Sequence, residues 1–208
     1  MIVRELEVGP LGTNCYIVYS GENADRAAVI DPGDEPEKIS RLLTELGLGV
    51  EAILLTHGHF DHIGGVSGLL ERFGDAKLYA CRSEDALLHD PMLNCSAMVR
   101  NPHTVNADVL IDEGEIVNVA GVKFRVIATP GHTAGSICFY SEEDKIMFSG
   151  DTLFCGSMGR TDLPTGDFGT LAASLRRLKE FPEETVVYPG HGPQTTIGDE
   201  KRNNPYLA

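Results

Sequence analysis

The sequence predicts an α/β protein built as one domain from two similar halves. Three observations carry this: short apolar strands alternate with amphipathic helices in both halves, no shift in composition marks a linker, and four core strands each deliver a histidine or aspartate at their carboxyl end. The 208 residues, 42% hydrophobic and 23% charged, suit a globular core.

The elements follow in order. Val3 to Val8 and Cys15 to Tyr19 read as strands around a Gly-Pro-Leu-Gly turn, and Ala27 to Ile30 continues the antiparallel opening into Asp31-Pro32-Gly33. A helix follows with Pro36 in its first turn, Ile39, Leu42, Leu43 and Leu46 on one face, and Gly47 as its stop. Ala52 to Leu55 is a short buried strand. From His62, Val66, Leu69, Leu70 and Phe73 keep helical spacing as far as Gly74. Residues 83–108 mix a short helix with a stretch rich in Asn, Pro and His, a candidate flap that contains His89 and His103. Strands return at Val117 to Val119, Val122 to Thr129, Ile137 to Tyr140 and Lys145 to Ser149. A helix presenting Phe168, Leu171, Leu175 and Leu178 on one face comes next, and Val186 to Tyr188 closes the series.

Charge and cysteine content exclude several classes. The 17 basic and 31 acidic side chains give a net charge of −14, which disfavours nucleic acid or an anionic membrane as the partner. No apolar run reaches the roughly 18 residues of a membrane helix, and Met1 to Pro10 lacks the pattern of a secretion signal, so the expected address is the cytoplasm. Five scattered cysteines read as reduced, mostly buried thiols, with Cys155 taken as a small buried one.

The strand ends hold the chemistry. Ala52 to Thr56 runs into His57, Val126 to Gly131 into His132, Ile146 to Gly150 into Asp151, and Val186 to Gly190 into His191. Glycine directly before three of these permits a tight turn that aims the side chain out of the sheet edge. The densest piece is Thr56-His57-Gly58-His59-Phe60-Asp61-His62. Residues two apart in an extended segment point the same way, so His57 and His59 are placed to grip one metal, and Asp61 and His62 turn into a helix to face a second position. Asp31 also ends a strand and reads either as a turn residue before Pro-Gly or as a group that orients a ligand histidine.

This H-x-H-x-D-H run, with His132, Asp151 and His191, resembles the metallo-β-lactamase superfamily over nearly the whole chain. Within it the likeness is to the short, type II glyoxalase-like (hydroxyacylglutathione hydrolase-like) branch. The resemblance implies a four-layer αβ/βα sandwich, two mixed sheets packed face to face with helices outside. It also implies His57, His59 and His132 on one metal, Asp61, His62 and His191 on a second, and Asp151 bridging both. The cofactors expected are two divalent ions, zinc first, with iron or manganese also suited to His and Asp ligands.

The reaction expected is hydrolysis of a small-molecule thioester, such as S-lactoylglutathione, by a hydroxide bridging the two metals, with Asp61 orienting the nucleophile. Asp151, where true metallo-β-lactamases usually carry Cys or Ser, sets that branch aside, and the acidic charge sets aside the nucleases. Residues 1–208 read as a single domain without the C-terminal helical domain of type II glyoxalases. Where those enzymes hold glutathione with a lysine and a tyrosine, this chain reads Gly159-Arg160-Thr161-Asp162. Arg160 is a candidate for a substrate carboxylate, and a fixed pair with Asp162 is the competing reading. The same run resembles the persulfide dioxygenases, which use one iron, so a mono-iron oxygenase of this fold is the alternative.

Overall fold

The computed structural model describes residues 1–207. The first half contributes β1 (Ile2–Val8), β2 (Thr13–Tyr19), β3 (Arg26–Ile30), α1 (Pro36–Glu45), β4 (Gly49–Leu54), α2 (Phe60–Ile63), α3 (Val66–Arg72), β5 (Lys77–Cys81), α4 (Asp85–Leu88) and β6 (Val109–Ile111). The second contributes β7 (Ile116–Val119), β8 (Val122–Ala128), β9 (Ile137–Ser141), β10 (Ile146–Gly150), β11 (Leu153–Phe154), β12 (Ser157–Met158), α5 (Phe168–Leu178), β13 (Val186–Pro189), β14 (Thr195–Thr196) and α6 (Ile197–Asn203).

Two six-stranded mixed sheets form, in the orders β1-β2-β3-β4-β5-β6 and β14-β13-β10-β9-β8-β7, and β11-β12 is a small separate hairpin. In the first sheet β1 to β3 pair antiparallel and β3 to β6 parallel. In the second, β8 and β10 both pair antiparallel with β9, while β13 is parallel to β10. The carboxyl ends of β8, β10 and β13 therefore share one edge.

Period-two alternation makes the layers. Tyr16, Val18, Ala28, Ile30, Ala52 and Leu54 face Phe124, Val126, Phe139 and Phe148 between the sheets. Their neighbours Ile17, Val29 and Ile53 turn the other way, onto Ile39 and Leu43 of α1 and Val66 and Leu69 of α3. Cys138, Tyr140, Met147 and Val187 pack outward on Leu171, Leu175 and Leu178 of α5. Helix, sheet, sheet, helix is the four-layer order expected. Each fully buried aliphatic or aromatic side chain contributes about 2 kcal/mol of burial to it. Among the described residues no helix is long and apolar enough to cross a membrane.

Three expectations are corrected and two strands are added. The helix read from His62 to Gly74 is broken into α2 and α3 at Gly64 and Gly65. Both glycines are clamped on the Asp31-Pro32-Gly33 turn, where the Gly65 amide donates to Pro32 O at 2.8 Å and a Cβ on Gly64 would lie 2.4 Å from Gly33 O. Strands β5 and β6 extend the first sheet where the sequence offered no clear pattern. Phe168 is 56% exposed and Ser174 takes its place in the buried face of α5, donating to Pro130 O at 2.7 Å. Cys155 is exposed in the β11–β12 turn, while the other four cysteines are buried free thiols.

One edge of the sandwich is stitched across the sheets. The Asn14 amide donates to Gly190 O at 2.8 Å, Tyr16 Oη to Pro189 O at 2.6 Å, and the Ile137 amide to Thr56 O at 2.9 Å. That edge is where the ligand-bearing strand ends meet.

Candidate metal centre

Each candidate ligand sits just past an element that fixes it. His57 and His59 follow β4, Asp61 and His62 lie in the single turn of α2, and His132, Asp151 and His191 follow β8, β10 and β13. Of the three glycines that precede the strand-end ligands His132, Asp151 and His191, two do what the sequence suggests and one does something else. Gly131 and Gly150 adopt positive φ, +131° and +49°. Gly190 does not; it is small because a Cβ there would lie 2.2 Å from Asp151 Oδ1.

The seven side chains converge. His57 Nε2 lies 3.2 Å from His132 Nε2, which is 2.9 Å from His59 Nδ1. On the far side His191 Nε2 is 3.3 Å and His62 Nε2 3.8 Å from Asp61 Oδ2. Asp151 spans both: its Oδ1 is 3.3 Å from His62 Nε2, and its Oδ2 is 3.6 Å from His132 Nε2 and 3.7 Å from His191 Nε2. Three sets are close enough to hold an ion: His57/His59/His132, His57/His62/Asp151 and Asp61/His62/His191.

Groups behind the ligands set their orientation. The His132 ring faces Arg160 O through Nδ1 at 2.8 Å; a carbonyl only accepts, so Nδ1 carries the proton and Nε2 presents its lone pair to the cluster. Asp31 Oδ1 accepts the Thr56 amide at 2.8 Å and its Oδ2 the Thr56 hydroxyl at 2.6 Å, leaving that hydroxyl to accept from His57 Nδ1 at 3.2 Å. His62 Nδ1 is 3.1 Å from Asp31 Oδ2, within ion-pair distance though too bent for a hydrogen bond. Asp31 is thus the orienting group rather than a mere turn residue.

Sequence reasoning missed Glu84. It is 1% exposed, and its carboxylate accepts the amides of Gly58 and Gly135, both at 2.8 Å, joining the loop of His57 and His59 to the loop after His132. Its partners are backbone amides far away in sequence and its neighbours Arg82, Ser83 and Asp85 are polar, so no local pattern marked it.

The electrostatics divide the cluster in two. Burial, reinforced by the neighbouring imidazoles, holds His57 well below the ordinary histidine value and His59 down to about 3. His132 is also lowered by burial. His62 goes the other way: burial opposes its proton, but the carboxylates of Asp151, Asp61 and Asp31 outweigh burial and hold it well above 6.5. His191 is raised in the same manner, mainly through Asp61.

These residues fit a metal pair. Five imidazoles and two carboxylates packed in one buried cleft leave His59 Nε2, His62 Nε2 and Asp151 Oδ1 buried without a hydrogen-bond partner. Donor atoms about 2.0–2.1 Å from a tetrahedral ion lie roughly 3.3 Å apart, close to the 2.9–3.3 Å separations at the centre of each cluster. The cluster opens into a cleft of about 550 Å³ whose wall includes Leu11, Cys95, Met98, Phe154, Met158 and Arg160. The Arg160 guanidinium is forked onto Asp162 at 2.7 and 2.8 Å. Cys95 and Met98 come from the 83–108 segment, which therefore does border the site. His89 lies away from it, bonded to Asp85 O and Asn106 Oδ1.

The chain is similar to known proteins over its full length. The family model of the Metallo-beta-lactamase superfamily matches residues 8–191. Hydroxyacylglutathione hydrolase GloC of Haemophilus influenzae is 37% identical, the match covering 100% of this chain and 98% of that protein. Among solved structures, BLEG-1 B3 metallo-beta-lactamase superimposes with a TM-score of 0.93 at 39% identity, covering 99% of each chain. TTHA1623 in a di-iron-bound form gives 0.86 at 42% identity, covering 99% of this chain and 100% of that one.

Proposed function

The chain belongs to the metallo-β-lactamase superfamily and is a metal-dependent hydrolase; from that membership and the cleft we propose a binuclear enzyme that cleaves thioesters of the hydroxyacylglutathione type. His57, His59 and His132 would hold one ion and Asp61, His62 and His191 the other, with Asp151 within reach of both. The observation that carries this reading is Asp151, whose Oδ2 lies between the triads, 3.6 Å from His132 Nε2 of one and 3.7 Å from His191 Nε2 of the other, while its Oδ1 is 3.3 Å from His62 Nε2. The name of the GloC relative and the di-iron state of TTHA1623 support it. Zinc, iron and manganese all suit the donor set.

Two divalent ions bound here supply a water of lowered pKa and an electrophile for the carbonyl oxygen. The protein's own part is positioning. Asp61 Oδ2 accepts from Thr13 Oγ1 at 3.3 Å and lies 3.3 Å from His191 Nε2. Burial would raise its pKa, but His62 and His191 hold it far below the ordinary aspartate value. It therefore acts as a fixed hydrogen-bond acceptor that aims the nucleophile, not as a proton store. Among the described residues of the cleft wall, every histidine and carboxylate belongs to the candidate ligand set; of the other titratable side chains only Cys95, its thiol pKa raised by burial, and Arg160 are left. No dedicated acid is free to protonate a leaving group. A thiol with a pKa near 8.5 departs unaided as thiolate, whereas an amine does not, and this favours a thioester over an amide. Arg160 lines the same cleft, and a substrate carboxylate there displaces Asp162 from its fork.

Protein purified anaerobically tests the reading: metals per chain are counted, and thiol release from S-lactoylglutathione is measured beside oxygen uptake with a persulfide and opening of a β-lactam. Two metals with thiol release are expected. One iron with oxygen uptake and no thioester cleavage overturns the proposal in favour of the oxygenase.

A further inference from the structure

Past Leu11, Phe60 and Asp61 the metal cleft adjoins a second cavity of about 340 Å³, and these three residues line both. The β1–β2 turn and Gly33–Asp34 form one side of it and residues 99–103 another. None of its lining residues except Asp61 belongs to the ligand set, so its chemistry has to be read separately.

Two side chains there are primed for a ligand. Arg100 is the cavity's one Lys or Arg and, among the described residues, its guanidinium has neither an ion pair nor a hydrogen bond. The comparable cation of the metal cleft, Arg160, is already forked onto Asp162. In a chain of net charge −14, Arg100 is therefore the cation beside the site with free donors. His103 is anchored through its backbone, its amide donating to Ser96 Oγ at 3.0 Å and its carbonyl accepting from Asn94 Nδ2 at 3.0 Å. Its Nδ1 lies 3.1 Å from Asn101 O, which fixes the proton on Nδ1. Nε2 is left as an acceptor, buried and without a partner. A buried acceptor of that kind is stabilised by any ligand that brings it an N–H or O–H.

We propose that this second cavity binds the part of the substrate remote from the scissile bond, and that it selects a carboxylate carried beside an N–H or O–H donor. Arg100 takes the carboxylate through its forked donors and His103 Nε2 accepts the neighbouring hydrogen. Asp34 and Asp61, also in the lining, repel a carboxylate, which leaves Arg100 as its one cationic partner in the cavity. The proposal rests on the thioesterase reading for the identity of the scissile bond, but not for the binding itself.

The test uses the metal-loaded enzyme and matched thioesters whose remote end is an amide-linked carboxylate, its neutral carboxamide, or an amine. Wild type is expected to prefer the carboxylate by about fivefold to tenfold in KM, a range set by an exposed charge-assisted pair. R100A is expected to level carboxylate and carboxamide, and R100E to turn the preference towards the amine. Equal KM values for the three substrates in wild type, or a preference untouched in R100A, overturn the proposal. If no thioester is cleaved, the thioesterase reading fails by itself, and calorimetric binding of the corresponding non-hydrolysable thioethers decides the cavity. A carboxylate thioether that binds wild type several times more tightly than R100A supports it, and equal binding overturns it.

Discussion

Glu84 Oε2 accepts the Gly58 amide at 2.8 Å, so a carboxylate from the turn after β5 holds the loop that carries His57 and His59. Its other oxygen holds the Gly135 amide, and with it the loop after His132. All three members of one triad thus hang on a single buried side chain. E84A leaves two buried amides unpaired and is expected to cost about 2–4 kcal/mol, with loss of the metal at His57, His59 and His132 before the other. Burial raises the Glu84 pKa above 4.5, partly offset by hydrogen bonds from Thr133 and the two amides. A raised folded-state value means that this group's contribution is full below 4.5 and declines as pH rises through the raised value. Urea unfolding of metal-free protein should show the wild-type advantage over E84A shrinking across that interval, and a difference that grows with pH contradicts the account.

The two triads should also differ in the protons they give up. At neutral pH His57, His59 and His132 are already neutral, because burial and neighbouring imidazoles lower them, His59 to about 3. His62 and His191 are held above the ordinary value by Asp151, Asp61 and Asp31 against the effect of burial. The first equivalent of zinc added to metal-free protein at pH 7 should therefore release no histidine proton, and the second should release one or two. Its affinity then falls by about tenfold per pH unit for each proton displaced as pH drops. Calorimetry in two buffers of different ionisation enthalpy reads this directly. Identical proton release at both steps would show that the division is wrong. D31N weakens the hold on the His62 proton and should reduce the release at the second step.

The contrast between ligands and supports explains what the sequence made legible. His57, His59, Asp61, His62, His132, Asp151 and His191 stand out because each follows a core strand or starts a helix, and their residue types are uncommon at such places. Glu84 gave no comparable signal, since it serves backbone amides 26 and 51 residues away. The break between α2 and α3 was hidden for a related reason. His62, Val66, Leu69 and Phe73 keep helical spacing across it, and the cause lies in the Pro32 turn against which Gly64 and Gly65 pack. Strand β6 is only three residues, Val109–Ile111, and becomes a strand by pairing with β5 rather than by its own pattern. Arg160 reveals a role no pattern encodes, the acceptance of the His132 Nδ1 hydrogen by its backbone oxygen.

The side chain of Arg160 offers a direct solution test of its fork with Asp162. Hydrogen bonding from Arg160 lowers the Asp162 pKa from 3.8 to about 2. The lowered value means the pair is intact above about 4 and is lost as pH falls through about 2. Both groups are exposed, so high salt should move the midpoint back towards 3.8. A carbon-detected NMR titration of the Asp162 carboxyl should give the low midpoint, and R160A should restore the ordinary one. An Asp162 that already titrates near 3.8 in wild type would mean that the fork does not persist in solution, so that a substrate carboxylate at Arg160 has no partner to displace.

Gly131 and Gly190 precede ligands in the same way but should fail differently. Gly131 sits at φ +131°, and a Cβ there would lie 2.2 Å from the Leu171 amide nitrogen at the start of α5. G131A therefore combines backbone strain with a clash against a rigid helix, and is expected to destabilise the fold by more than about 3 kcal/mol. Gly190 has no such strain. The atom nearest its would-be Cβ is Asp151 Oδ1 at 2.2 Å, followed by His62 Cε1 at 2.8 Å. The obstacle at this position is the bridging carboxylate itself, which can rotate away at the expense of its ligand geometry. G190A should thus unfold within about 1–2 kcal/mol of wild type while binding the metal pair more than tenfold more weakly, a split visible by comparing denaturant midpoints with metal content. Equal losses of stability in the two variants, or an undiminished metal content in G190A, would mean that Gly190 is kept for something other than room for Asp151.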